Sequence, residues 1–343
     1  MATLAERLRY TVTQAARVAW YSGQYAATVR LAGNAVTDAE RDFEPQGQLP
    51  GWEGLRRGLL ELFERDWRNI EAGVYPAPAG TAPQALASLA RTGRYFADLP
   101  AVTRRRVAGG HSEVVSETTR ARYPRYYLQN FHFQTDGYLS PHSARLYDHQ
   151  VEVLFTGAAD AMRRQALVPL RQALVRRRPR PRLLDVATGT GRFLACVQAT
   201  FPFARVTGLD LSQAYLDQGH ANAPRATLLH AKAEAIPTAD ASWDAVTCIY
   251  LFHELPPKVR RAVAHEIARV LKPGGRFVLV DSLQTGDVAR YDGLLELFPR
   301  RFHEPYFLSY IATDLAALFA EAGLTVVDAT PAFLSKVMTF EKS

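Results

Sequence analysis

Short apolar runs alternate with amphipathic stretches over the second half of the chain. Four runs have the length and composition of buried strands, and they lie at 182–186, 206–210, 243–249 and 276–281. Between them, 193–200 and 257–271 repeat apolar residues with helical spacing. A later helix is expected at 313–322, with Thr313 as its N-terminal cap. Two further runs, at 324–329 and 334–340, are expected to close the sheet as its antiparallel edge. The alternation predicts an α/β fold with a mostly parallel, Rossmann-like sheet.

The first half of the chain carries helical patterns. Apolar spacing predicts helices at 3–31, 52–71, 83–97, 101–107, 146–156 and 158–175. We therefore expect a helical N-terminal domain over 1–165 and a sheet domain over 166–343. An apolar stripe on the first helix is expected to pack on its own domain or on a second subunit, and it consists of Leu4, Leu8, Val12, Ala15 and Ala19.

A glycine turn follows the first predicted strand, in the sequence Asp-Val-Ala-Thr-Gly-Thr-Gly at 185–191. Gly189 and Gly191 lack a Cβ, so the backbone can turn sharply there and come close to a ligand. The next helix begins at this turn, and its N-terminus offers unpaired N–H groups to an anionic group. A dinucleotide fingerprint would have glycine or alanine where Leu194 stands, and the acid Asp185 before the turn indicates a different ligand.

An acid before a Gly-x-Gly turn resembles motif I of the class I S-adenosylmethionine-dependent methyltransferases. Within that superfamily, 185–191 is most similar to the quinone C-methyltransferases of ubiquinone and menaquinone synthesis. The resemblance continues in Gly-Leu-Asp at 208–210, Ala-Glu-Ala-Ile-Pro at 233–237, Trp-Asp-Ala-Val at 243–246 and Leu-Lys-Pro-Gly-Gly-Arg at 271–276. Lys232 departs from the pattern, because the family usually has Asp at that position. The resemblance implies a class I methyltransferase sheet domain.

The resemblance also implies that the chain binds S-adenosylmethionine and releases S-adenosylhomocysteine. Gly189 and Gly191 would lie against the methionine part, and Asp210 would accept hydrogen bonds from the two ribose hydroxyls. Asp185 would either hold the turn or meet the amino group through water. The full set of expected cofactor contacts is Asp185, Ala187, Gly189, Thr190, Gly191, Asp210, Leu211, Ala233, Glu234 and Ile249.

Two aromatic segments are candidates for the wall of an acceptor pocket. The first, 121–147, is either an aromatic core joining the helices to the sheet or a surface for flat molecules and the sulfonium cation. The second is an insertion near 283–310 that follows a strand end and is expected to cover the acceptor. The N-terminal domain would then serve as an acceptor lid, an oligomerisation element or both. No metal site is predicted, because the histidines lack a closely spaced ligand pair.

Few residues are candidates for chemistry, because methyl transfer from a sulfonium is an in-line displacement that mainly requires alignment. His253 follows the fourth predicted strand and suits proton transfer near neutral pH, although a His253–Glu254 pair can equally cap the next loop. His303 and Tyr306 in the insertion are comparable candidates. Tyr250 would line the channel for the methyl group.

Composition, charge and cysteine content limit the class of protein, its partners and its location. The 343 residues are 48% hydrophobic and 22% charged, which is ordinary for a globular protein and leaves room for two domains. The net charge of +7 is concentrated in arginine runs at 104–106 and 176–180. We interpret them as solvated helix ends and a linker, with peripheral membrane contact as the alternative and no nucleic acid as a partner. Two cysteines in predicted core elements, with no membrane span or leader recognised, give a cytoplasmic location as the expectation.

The leading hypothesis is a small-molecule methyltransferase whose acceptor is flat and partly apolar, such as a quinone, a phenol or a related secondary metabolite. Both carbon and oxygen stay open as the methylated atom. The alternative is a binding or scaffold protein with this fold and no turnover, because the helical extension is large and Lys232 departs from the family pattern. A nicotinamide oxidoreductase is disfavoured by the missing third glycine. A homodimer through the N-terminal helices is a further expectation.

Overall fold

A seven-stranded sheet organises the protein. The structure is a computed structural model and describes residues 3–32, 42–78, 82–177 and 179–343. The strands are β1 (Arg182–Val186), β2 (Arg205–Asp210), β3 (Thr227–His230), β4 (Trp243–Ile249), β5 (Leu271–Ser282), β6 (Leu324–Ala332) and β7 (Ser335–Lys342). Their order across the sheet is β3-β2-β1-β4-β5-β7-β6.

The sheet confirms the predicted class. Strands β1 to β5 pair in parallel, while β7 pairs antiparallel with both β5 and β6. The register places Asp185 of β1 beside Gly208 of β2 and Thr247 of β4. The carboxyl ends of β1, β2 and β4 therefore meet at one edge, which is where open parallel sheets bind ligands. The short edge strand β3 was not predicted.

Thirteen α-helices lie in the described residues. They are α1 (Leu4–Ala32), α2 (Trp52–Glu71), α3 (Ala82–Ala108), α4 (Glu117–Arg122), α5 (Pro141–Leu154), α6 (Ala159–Arg164), α7 (Leu167–Val175), α8 (Arg192–Thr200), α9 (Gln213–Asn222), α10 (Pro257–Val270), α11 (Asp292–Arg301), α12 (Phe307–Ile311) and α13 (Leu315–Glu321). Within the described ranges, no helix combines the length and the apolar character that a membrane span requires.

Most predicted helices are confirmed, and three details are corrected. The helices expected at 83–97 and 101–107 are one helix, α3, which continues through Pro100. The helix expected to begin at 146 begins at Pro141, because the Ser140 side chain accepts a hydrogen bond from the Ser143 N–H. Asp314, not Thr313, caps α13, since the Thr313 hydroxyl donates to the Ser309 carbonyl. Residues 79–81 of the loop before α3 and Arg178 of the basic linker lie outside the described residues.

The apolar stripe of α1 does not pack on its own domain. Leu4, Leu8 and Val12 are 84%, 64% and 59% exposed. The buried face carries Tyr10, Gln14, Tyr21 and Gln24 instead. That face docks because its polar groups find buried partners, such as the Gln24 side-chain oxygen bonded to His149 at 2.7 Å. Packing of the stripe on a second subunit stays a prediction.

One large apolar core crosses the predicted domain boundary at residue 165. It joins Leu62 and Tyr75 of the helical region to Met162 and Leu170 and to the central strands. The helical region therefore packs directly against the sheet, while the division of the chain at 165 stays a prediction.

Asp66 of α2 is the polar link between α2, α1 and α6 within the helical region. Its carboxylate is fully buried and accepts hydrogen bonds from the Tyr10 and Tyr75 hydroxyls, at 2.5 and 2.8 Å. It also receives two bonds from the Arg164 guanidinium on α6, at 3.0 and 2.5 Å. Each member of this network needs the others, because a buried charge without a partner is costly.

We predict that Asp66→Ala lowers the free energy of unfolding by about 3–5 kcal/mol, because it leaves the Arg164 guanidinium buried without its counter-charge. Urea unfolding of both chains measures the difference. The matched control is Asp240→Ala, which breaks the Arg269 pair at a side chain that is 77% exposed and should cost less than about 1 kcal/mol. Equal losses in the two variants would contradict the assigned role of Asp66.

Candidate active site

The turn between β1 and α8 has an unusual backbone. Ala187, Gly189 and Gly191 have φ values of +58°, +56° and +71°. A positive φ is strained for alanine, and such strain is characteristic of functional turns. A Cβ placed on Gly189 would find its nearest neighbour, the Tyr215 ring, 4.0 Å away. The side of Gly189 that a Cβ would occupy is therefore open to a ligand.

Asp210, at the end of β2, faces this turn. Its Oδ2 accepts the Gly189 N–H at 2.7 Å, and its Oδ1 accepts the Ser212 N–H at 2.8 Å. Burial raises the pKa of Asp210, and these two backbone donors oppose that effect. Each carboxylate oxygen can accept a further hydrogen bond, so the group can receive two neighbouring hydroxyls.

Asp185 lies beneath the turn and is buried. Its carboxylate accepts hydrogen bonds from the Thr188 hydroxyl at 2.7 Å and from the Thr247 hydroxyl at 2.6 Å. Burial raises the pKa of Asp185 to about 6, although both hydroxyl bonds act in the opposite direction. Of the two roles expected for Asp185, these contacts match holding the turn.

A first cavity opens above the turn. Six of the ten expected cofactor residues line it, namely Ala187, Gly189, Asp210, Leu211, Ala233 and Ile249. The opposite wall is made of tyrosines, namely Tyr126, Tyr127, Tyr138, Tyr147 and Tyr215. The aromatic segment at 121–147 therefore supplies most of the wall that faces the glycine turn.

The other four expected residues lie behind the cavity. Asp185 braces the turn, and the Thr190 hydroxyl donates to the Asp148 carboxylate at 2.9 Å. Gly191 packs against α9, where a Cβ would approach the Gly219 Cα to 3.2 Å. Glu234 accepts a hydrogen bond from the Tyr126 hydroxyl at 2.9 Å and so orients one tyrosine of the wall.

These residues fit S-adenosylmethionine. Asp210 presents acceptors for the ribose hydroxyls, and the open face of Gly189 lets a ligand approach the backbone. Aromatic rings on the opposite wall suit a sulfonium cation, because the ring faces are electron-rich.

A second cavity adjoins the first, since Tyr147, Tyr250 and Glu254 line both. Tyr250 follows β4 with a φ of +58°, and its hydroxyl lies 2.9 Å from the Ser335 hydroxyl. Its ring stacks on Phe155 with an interplanar angle of 17°. The predicted candidates Tyr250 and His253 therefore both reach the cavity that adjoins the expected cofactor site.

A buried aspartate, which was not among the residues predicted for the site, holds His253 in place. The His253 Nδ1 lies 2.6 Å from Asp281 Oδ1, and Asp281 also accepts the Phe252 and Ser282 N–H groups. Burial lowers the pKa of His253, but the charge and hydrogen bond of Asp281 outweigh burial and raise it to about 9. Asp281 lies near the end of β5, which pairs with β4. An acid at this position of a predicted strand is the sequence signal that could have identified Asp281 as a site residue.

The structure does not bring His303 and Tyr306 to the second cavity. His303 Nε2 lies 2.7 Å from the Gln129 side-chain oxygen, and its ring stacks on His111 at 4.3 Å. Burial lowers the pKa of His303 to about 4. The Tyr306 hydroxyl accepts a hydrogen bond from Gln129 at 3.1 Å. Both side chains tie the insertion to the aromatic segment.

A third, mainly apolar cavity of about 330 Å³ was not anticipated from the sequence. Residues of α1, α3, α5 and α11 line it, so it forms only where four distant segments pack together. It shares His132, Tyr147, Val151 and Leu154 with the second cavity. The three cavities therefore adjoin in a row from the glycine turn into the helical region.

Comparison with known proteins identifies the family of the sheet domain. Residues 183–275 match a family described as a methyltransferase domain. An uncharacterized methyltransferase of Synechocystis is 34% identical over 149 residues, which are 43% of this chain and 69% of that protein. The ubiquinone/menaquinone biosynthesis C-methyltransferase UbiE of Methylobacterium nodulans is 34% identical over 178 residues, which are 50% of this chain and 68% of the relative.

Among solved structures, the YcgJ protein of Bacillus subtilis is similar, with 24% sequence identity and a TM-score of 0.38. The match covers 48% of this chain and 70% of that one. The sequence relatives favour an enzyme over the scaffold alternative. With the glycine turn, the acid on β2 and these relatives in agreement, the chain belongs to the class I S-adenosylmethionine-dependent methyltransferases.

Proposed function

We propose that this enzyme methylates a small, flat acceptor that carries an apolar tail, such as a quinol or a related phenol. The observation that supports this proposal is the row of three adjoining cavities. The first suits the cofactor, the second suits a ring, and the mainly apolar third suits a hydrocarbon chain. The relatives named for ubiquinone and menaquinone synthesis are in line with such an acceptor.

The acceptor ring lies in the second cavity in this proposal. The stacked rings of Tyr250 and Phe155 offer a flat apolar surface beside residues that also line the cofactor cavity. A ring resting there is next to the cofactor, and its tail extends past Val151 and Leu154 into the third cavity. The aromatic segment then has both of its expected roles, as a core and as a pocket wall.

The protein contributes mainly binding and alignment. Bound S-adenosylmethionine supplies a methyl group that is already activated by the positive sulfur. Asp210 holds the ribose, and the tyrosine wall excludes water and faces the cation. The protein fixes the acceptor atom in line with the carbon–sulfur bond. A reaction between two separate molecules thereby becomes a reaction within a single complex.

His253 is the residue proposed to act at the acceptor's oxygen. Asp281 fixes the orientation of the imidazole through Nδ1, and Nε2 lies 3.9 Å from Glu254 Oε1, a residue that also lines the second cavity. A proton held at Nε2 stabilises negative charge on the acceptor's oxygen, and such charge makes the adjacent ring carbon more nucleophilic. We accordingly favour carbon as the methylated atom.

The acceptor proposal is tested with methyl-labelled S-adenosylmethionine and a series of demethylated quinols of increasing tail length. We expect labelled product and S-adenosylhomocysteine, with KM falling as the tail lengthens. Val102→Phe narrows the third cavity and should raise KM for long tails more than for short ones. Val107→Phe is the matched control on the same helix, because Val107 is 58% exposed. No turnover with any quinol, or no dependence on the tail, would contradict the proposal.

We predict that His253→Gln lowers kcat by about 10²–10⁴-fold, the usual range for removing a positioned proton-transfer group. The dissociation constant of S-adenosylmethionine should stay unchanged, since His253 does not line the first cavity. Steady-state kinetics and calorimetric titration measure the two quantities. His265→Gln, at an exposed position on α10, is the control. An unchanged kcat in the His253 variant would remove this residue from the mechanism.

A further inference from the structure

Three ionisable side chains from distant segments meet beside the second cavity. They are His132 in the aromatic segment, Glu254 after β4 and Glu304 in the insertion. One ligand atom from each lies within 4.8 Å of the other two. Sequence spacing could not reveal this group, because the fold alone brings the three segments together.

The carboxylate of Glu304 lacks hydrogen-bond donors among the residues that the structure describes. Its side chain is fully buried, and neither carboxylate oxygen has a hydrogen-bond partner among the described residues. His132 Nε2 lies 3.1 Å from Glu304 Oε1, which is an ion-pair distance, but this approach satisfies neither oxygen with a hydrogen bond. A buried carboxylate left in this state is expensive, so Glu304 requires a cation or a proton.

His132 is held in a conformation that its own backbone disfavours. Its φ is +53°, and the next residue, Phe133, has a φ of +57°. Two successive non-glycine residues in this region are strained, and such strain persists where the surroundings impose it. The edges of Phe298 and Phe302 pack around the imidazole at centroid distances of 5.8 and 5.6 Å. The ring is therefore fixed with Nε2 toward Glu304.

Glu254 completes the group from the opposite side. The Tyr138 hydroxyl donates to its Oε1 at 2.5 Å and orients the carboxylate. Glu254 lines the first and second cavities, while His132 lines the second and third. An ion held between these side chains would have its remaining coordination positions toward the acceptor cavity.

We propose that His132, Glu254 and Glu304 bind a divalent first-row transition ion. Ligand atoms around such an ion lie about 3–4 Å apart, so the group needs only a small contraction. Two carboxylates balance the ion's charge, and the imidazole nitrogen favours zinc or iron over magnesium and calcium. Three protein ligands leave open positions for an oxygen of the acceptor, which the ion would polarise as a Lewis acid. This last role, unlike the binding itself, rests on the proposed function.

The test is a titration of the full-length protein, stripped of metal by a chelator, with Zn²⁺ alone. We expect one Zn²⁺ per chain, a higher Tm in its presence and much weaker binding of Mg²⁺. A protein that binds no Zn²⁺ at millimolar concentration would overturn the site and leave protonated, ion-free glutamates as the explanation of the buried cluster.

Variants decide whether binding occurs at these residues. Glu304→Gln and His132→Gln should each weaken Zn²⁺ binding at least about tenfold, while His265→Gln, at an exposed position, should not. Glu304→Gln removes an unsatisfied buried acid, so the Tm of this variant without metal should not fall. A retained Tm shows that the loss of Zn²⁺ binding does not come from a loss of folding. Zn²⁺ affinity unchanged in both site variants would overturn the assignment. The titration uses no cofactor or acceptor, so its result is independent of the quinol assay.

Discussion

The structure depends on the need to satisfy carboxylates that are buried or half-buried at one edge of a parallel sheet. Asp185, Asp210 and Asp281 lie at or near the ends of β1, β2 and β5, and each is bonded by groups from an adjacent loop. A carboxylate that is largely shielded from water is tolerated only with such donors, so each aspartate fixes the loop that supplies them. The loops fixed in this way are the glycine turn and the segment that carries His253.

The helical region and the insertion complete the site from the other side. The tyrosines of 121–147 close the first cavity, and the hydroxyl of Ser212 donates to the Tyr138 carbonyl, which ties that segment to the sheet. The ionic network around Asp66 holds the N-terminal helices to α6, which lies just before the sheet domain in the chain. The proposed acceptor pocket beside the cofactor cavity thus has a shape that is set by distant parts of the chain.

The sequence predicts the sheet and the glycine turn well, because strand patterns and the motif at 185–191 are local. It predicts less where contacts between distant segments decide the outcome. The stripe of α1 is exposed because Tyr10 and Gln24, on another face, find buried partners across the fold. The third cavity and the meeting of His132 with Glu304 likewise depend on packing between distant segments, which no local pattern encodes. Asp281 could be predicted only in part, since its strand was predicted but its contact with His253 was not.

We propose that the carboxylate ending β2 holds the ribose of S-adenosylmethionine. Calorimetric titration of Asp210→Ala tests it directly, with Asp217→Ala on α9, an exposed position, as the matched control. We expect the Asp210 variant to lose about 1–3 kcal/mol of binding free energy and the control to bind like the unaltered chain. Equal affinity in the two variants would contradict it, because the cofactor's sugar would then lie elsewhere.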